Sequence, residues 1–157
     1  MYNTVLLAAA LQRWDRYSDH ALAAREAAAA LAKGATQHLH VLSVYDYYFK
    51  VPASGLSAEM VAQLREEELR RTNSLMERKI DDYIAPLKVE GLKVTPILRT
   101  GNVRSVILQT ASELHADVLV IGSHSKRNLL DIALGGTAKH LSQHAPCTVV
   151  LVAPQKT

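Results

Sequence analysis

Asp117-Val118-Leu119-Val120-Ile121-Gly122 is an unbroken apolar run set between an aspartate and a glycine. It has the length of one strand and no polar alternation, so both of its faces must be covered. After it come a polar stretch at 123–128, a Leu-rich turn, Gly135-Gly136 and a helix running to about His144. Cys147-Thr148-Val149-Val150-Leu151-Val152 then forms a last strand. Before it, Thr100-Gly101-Asn102 is a turn, and Val103, Ile107, Ala111 and Leu114 mark a helix ending near His115. Buried strands separated by helices require crossover connections, and these make parallel sheets.

The same alternation extends back to the N-terminus. Residues 92–98 alternate as a strand that Pro96 pushes toward an edge, because proline cannot donate to a ladder. Ser57 caps a long helix whose largely apolar stripe is Val61, Leu64, Glu68, Leu69, Met76, Ile80, Tyr83, Ile84 and Leu87. Pro86 and Gly91 close it, and Glu66–Arg70 and Glu67–Arg71 are ion pairs at helical spacing on its wet face. His38–Tyr45 reads as a strand, followed by a loop at 46–56. Asp19–Lys33 is an Ala-rich helix, capped by Ser18 or Asp19 and ended by Gly34. Val5-Leu6-Leu7-Ala8-Ala9-Ala10 is the first strand. The order β-α-β-α-β-α-β-α-β predicts one doubly wound α/β domain over residues 1–157, a five-stranded parallel sheet with helices on both faces.

Composition agrees with this reading. A chain of 157 residues, 48% hydrophobic and 21% charged, is globular. A domain of this size buries roughly 68–70% of its unfolded surface and needs no metal or disulfide. Cys147 is the single cysteine, which excludes an intrachain disulfide. No signal-peptide pattern or bilayer-length apolar run is present, so the expected location is the cytosol, without membrane insertion. The net charge of +3 comes from interspersed signs, which argues against nucleic acid as a partner. Aromatics are only 5% of the chain, yet Tyr45, Tyr47, Tyr48 and Phe49 cluster after the second strand. They either stack on a planar ligand or cover the core edge, and the second role is the commoner one.

The segment from Val120 to His140 carries the most chemistry. Gly122 follows a buried strand, and thirteen residues later Gly135, Gly136 and Thr137 open a helix. Glycines let backbone N–H groups approach an anion, and a helix N-terminus favours negative charge. Ser123, His124, Ser125, Lys126 and Arg127 add donors and charge. On spacing alone, a phosphate-binding loop and a plain tight turn stand level.

At these residues the chain resembles the universal stress protein family over essentially its whole length. Nucleotide-binding members carry a Gly, two residues, a Gly, nine residues, then a Gly and a Ser or Thr. Here Gly122-Ser123-His124-Ser125 and Gly135-Gly136 fall in that register. Gly101 to Ile107, Ala116 to His124 and His144 to Val152 are similar as well. The resemblance implies a cytosolic stress-response regulator that binds ATP or another adenine nucleotide, with Mg only alongside the nucleotide. Its phosphate contacts would be Gly122, Ser123, His124, Ser125, Arg127, Gly135, Gly136 and Thr137, and Val44 would line the adenine pocket. It also implies a homodimer paired through Cys147-Thr148-Val149-Val150-Leu151-Val152, and a regulatory protein partner that the sequence does not name.

Three departures bear on that site. Ser125 replaces the second glycine, and Gly136 replaces the Ser or Thr, with Thr137 one place on. The first strand of nucleotide-binding relatives ends in an Asp near the adenosine, where this chain has Ala10. One lost charge-assisted contact costs about 1.5–3 kcal/mol, roughly one to two decades of affinity. A nucleotide-independent interaction module is therefore the competing reading. No nucleophile elbow, Walker A loop or carboxylate pair stands out, and slow ATP hydrolysis is the most that the resemblance allows. His140 and His144, His38 and His40, and Cys147 lack the partners that metal or nucleophile chemistry needs.

Overall fold

Side-chain caps open the helices where the sequence places them. Ser18 Oγ accepts from Ala21 N at 3.2 Å, Ser57 Oγ accepts from Met60 N at 3.2 Å, and Asn102 Oδ1 accepts from Ser105 N at 3.0 Å. The computed structural model describes residues 2–12, 16–45, 49–51, 55–122 and 136–154. The elements are β1 (Val5–Ala8), α1 (Asp19–Lys33), β2 (His38–Tyr45), α2 (Ala58–Val89), β3 (Lys93–Thr100), α3 (Val103–Glu113), β4 (Val118–Gly122), α4 (Gly136–His144) and β5 (Thr148–Val152).

The strands form one five-stranded sheet in the order β3-β2-β1-β4-β5. Every pairing is parallel. β1 is central, with Leu7 opposite Val41 on one side and Val120 on the other. β3 is an edge strand, and Pro96 sits exposed on it, as its missing N–H requires. β5 is the opposite edge and only half-buried.

Strand pleating splits the core in two. Val5 and Leu7 face α1 and α2, packing with Ala24, Ala28, Ile80 and Tyr83. Leu6 and Ala8 face α3 and α4, packing with Ile107, Ala111 and Leu141. The alanines of α1 let it lie close on the sheet, and Ala28 and Ala32 are fully buried. Tyr83 fixes α2 against α1, its hydroxyl donating to Ala21 O at 2.5 Å. No helix among the described residues is long and apolar enough to cross a membrane.

The structure corrects two readings, at the ends of β1 and α2, and bears out the ends read for α1 and α3. β1 ends at Ala8, not Ala10, although Ala9 N still donates to Leu42 O at 2.8 Å. α2 runs through Pro86 to Val89, because one missing N–H near a helix end is outweighed by burial of Ile84 and Leu87. α3 stops at Glu113, and His115 turns the chain with φ of 49°. Gly34 ends α1 with an ordinary φ of −75°, and the left-handed residue is Gln37 at 59°.

His38 and His40 lie on the α3 side of β2, ring centroids 4.3 Å apart, with His38 Nε2 2.9 Å from Thr95 Oγ1. His40 Nδ1 is buried with no hydrogen-bond partner among the described residues. Desolvation lowers the pKa of His40 first, then the charges of His38 and Lys93. Desolvation and then Lys93 lower that of His38. A depressed imidazole pKa means the folded state resists protonation. Its stabilising contribution is complete above the unfolded value of about 6.5 and is lost as pH falls below it. Urea midpoints should therefore drop between about pH 7 and 5, and His40→Gln should flatten that drop. Parallel curves for the two proteins would refute this account.

Candidate functional site

β1 sits where the topology reverses. From its carboxyl end the chain leaves through α1 to β2 on one side, while β4 reaches its other side from α3. The two connections diverge to opposite faces and leave a crevice there, which is where ligands of open α/β sheets bind. A cavity of about 390 Å³ occupies it. That volume lies within the common range for small-molecule sites.

Its walls come from six elements. Ala8, Ala9 and Ala10 form the β1 end, with Leu42 and Val44 from β2 and Ile121 and Gly122 from β4. α1 adds Ser18, His20 and Ala21, and α3 adds Val103 and Ile107. The first turn of α4 closes it with Gly136, Thr137 and Ala138. The early N–H groups of a helix have no intrahelical acceptor, so this turn brings donors and a partial positive charge to an otherwise largely apolar chamber. Gln12, Ser18, His20 and Thr137 are its polar side chains, and no carboxylate is among its described walls. The arrangement can hold an apolar, planar group at one end and an anion at the other.

Ala10, Val44, Gly122, Gly136 and Thr137 are thus brought together as the sequence anticipated. Ser123, His124, Ser125, Arg127 and Gly135 lie outside the described residues. Tyr45 and Phe49, the described members of the aromatic cluster, do not join them. Tyr45 is buried on the α2 side, its hydroxyl donating to Asn73 Oδ1 at 2.6 Å, and Phe49 lies 5.6 Å from the Arg65 guanidinium. Neither ring lines the chamber, and Tyr47 and Tyr48 lie outside the described residues. Cys147 is half-buried, and burial followed by the Asp117 charge pushes its thiol pKa up, opposite to an activated nucleophile.

Gly122 has a packing reason to be glycine. A Cβ there would lie 3.0 Å from both Cβ and O of His20, in the first turn of α1. The close approach of that turn to β4 requires the missing side chain whether or not a ligand binds.

A second, more open depression of about 490 Å³ lies between β3 and α3. Its cation is already satisfied, since Arg99 contacts Glu113 Oε2 at 2.8 Å and donates to Thr110 Oγ1 at 3.0 Å. The chamber at the β1 end is the better site because it is more enclosed and combines an apolar wall with the first turn of a helix.

The Universal stress protein family matches residues 1–153 of the chain. The chain belongs to the universal stress protein family. Universal stress protein MJ0531 of Methanocaldococcus jannaschii is 26% identical over 141 residues, covering 88% of this chain and 78% of that protein. The solved structure of MJ0577 superposes with a TM-score of 0.71 at 22% identity, over 100% of this chain and 99% of that one. A universal stress protein from Arabidopsis thaliana, solved with AMP bound, gives a TM-score of 0.65 at 17% identity, over 98% of this chain and 92% of that one. These likenesses establish the five-stranded universal stress protein fold for this chain.

Sequence reasoning missed Gln12, His20 and Arg104. Val103 and Ile107 carried a signal, because their helical spacing defined a face, but not what that face meets. Arg104 had none: its Nη2 lies 2.6 Å from where a Cβ on Gly136 would sit, a contact that only the fold creates.

Gly122→Ala should lose about 1–3 kcal/mol of stability by overpacking, measured by urea unfolding without nucleotide. An unchanged midpoint would show that α1 does not press on β4 there.

Proposed function

We propose that this universal stress protein binds an adenine nucleotide, ATP, ADP or AMP, in the chamber at the carboxyl end of β1. The observation that carries this reading is one enclosed space joining the apolar wall of Val44 and Ala10 to the first turn of α4. The adenosine lies against Val44 and the β1 end, and the phosphates lie at Gly136 and Thr137 with the segment from Gly122 to Gly135. Solved relatives in complex with AMP, cAMP and dAMP support an adenine-bearing ligand. Mg accompanies the nucleotide if it binds at all.

The protein acts as a cytosolic regulator. The half-buried edge strand β5 offers unpaired backbone groups for a homodimer, and nucleotide occupancy alters a surface read by a protein partner. A second reading, an interaction module without nucleotide, draws on Ala10. A methyl group cannot accept a hydrogen bond from a ribose hydroxyl, and no described wall residue supplies a carboxylate instead.

Calorimetric titration with ATP, ADP and AMP separates the two. The expected result is saturable heat with at least one nucleotide. Val44→Trp, which fills the chamber, should weaken that binding at least about tenfold, or 1.4 kcal/mol. No heat and no thermal shift at millimolar nucleotide would overturn the proposal in favour of the interaction module.

A further inference from the structure

We infer that Arg104 is a phosphate-contacting residue of the chamber, reaching it from α3 rather than from the glycine-bearing loop. The inference rests on the nucleotide reading above and adds a specificity-determining side chain to it. Arg104 follows Val103, which lines the chamber, and its guanidinium reaches Gly136, which lines the chamber from α4. Its Nη2 lies 2.6 Å from the Cβ position of Gly136, so the glycine leaves the space that the guanidinium fills. A flexible arginine tip can swing a short way from there toward an anion in the chamber.

The electrostatics at this spot are unbalanced. No carboxylate among the described residues pairs with Arg104, whereas Arg99 and Arg71 are matched by Glu113 and Glu68. Arg70 and Arg78 are exposed on α2, and Arg104 is exposed as well, so its position and not its burial sets it apart. Arg104 instead stands beside the positive end of α4 and close enough to His140 to help lower its pKa, after desolvation and His144. Two like charges set at the rim of one chamber repel each other until an anion lies between them. A guanidinium also offers a planar fork of N–H donors matched to phosphate oxygens. The ligand class is therefore a phosphorylated one, and the side chain rewards the phosphoryl groups, not the base.

The test is ATP affinity by calorimetry for the full chain, Arg104→Gln and Lys139→Gln. Lys139, like Arg104, is exposed and absent from the described chamber walls, but only Arg104 lies at the Cβ position of Gly136, so Lys139 controls for loss of one positive charge on the same surface. Arg104→Gln should weaken ATP binding at least about tenfold, as loss of a charge-assisted contact does, with an unchanged unfolding midpoint in the absence of nucleotide. Lys139→Gln should stay within about twofold of the parent, since a screened surface charge contributes little. If the parent binds ATP and Arg104→Gln binds equally well, or if both variants lose equally, this inference fails while the nucleotide site stands. If the parent binds no ATP, the nucleotide reading fails and takes this inference with it.

Discussion

The central strand β1 sets the rest of the structure. It is hydrogen-bonded on both sides and fully buried through Val5, Leu6 and Leu7. Its neighbours are fed from opposite directions along the chain, so the helices after β1 and before β4 must lie on opposite faces of the sheet. These two connections therefore diverge from the carboxyl end of β1. The chamber is what remains, and its walls are the first turns of helices and the last residues of strands.

Two close approaches shape that chamber. The first turn of α1 presses on β4 at Gly122, and the Arg104 guanidinium of α3 presses on α4 at Gly136. Both glycines belong to the stretch that resembles a phosphate-binding motif, and Gly122, which meets the backbone of His20, has a packing role in addition. The chamber's polarity is likewise divided. Its interior is mostly aliphatic, and the first turn of α4 brings a partial positive charge to it. Such a site favours a ligand with an apolar planar body and a negatively charged tail. On the nucleotide reading proposed above, Ala10 lacks the acceptor that would hold a sugar between them, and affinity would depend more heavily on the phosphate end.

Much of this was legible in the sequence because strand and helix periods differ. The apolar runs at Val5, Val118 and Thr148, the strand stretches at His38 and Leu92, the spaced residues of α1, α2 and α3 and the helix start after Gly135 marked all nine elements in order. Ser18 and Ser57 announced helix starts through chemistry that acts over three residues, whereas Asn102, read only as part of a turn, caps α3 in the same way. Local chemistry did not reveal where β1 stops, since Ala8, Ala9 and Ala10 are equally apolar and only pairing with β2 separates them. Pro86 read as a stop because its cost is local, whereas the burial of Leu87 that overrides it is tertiary. In the site, Val44, Gly122 and Gly136 were found from a motif. Arg104 was invisible, because nothing in the spacing between it and Gly136 says that α3 and α4 pack side by side. Tyr45 looked available for stacking until the pleat turned it toward α2 and Asn73.

The most direct measurement is residue-level mapping of ATP binding by amide NMR shifts on the isotope-labelled chain. The chamber account predicts saturable shifts concentrated at Ala10, Val44, Gly122, Gly136 and Thr137, on three strand ends and one helix start. Shifts centred instead on Arg99, Thr100 and Glu113 at the β3–α3 depression, or no saturable shifts at all, would contradict it.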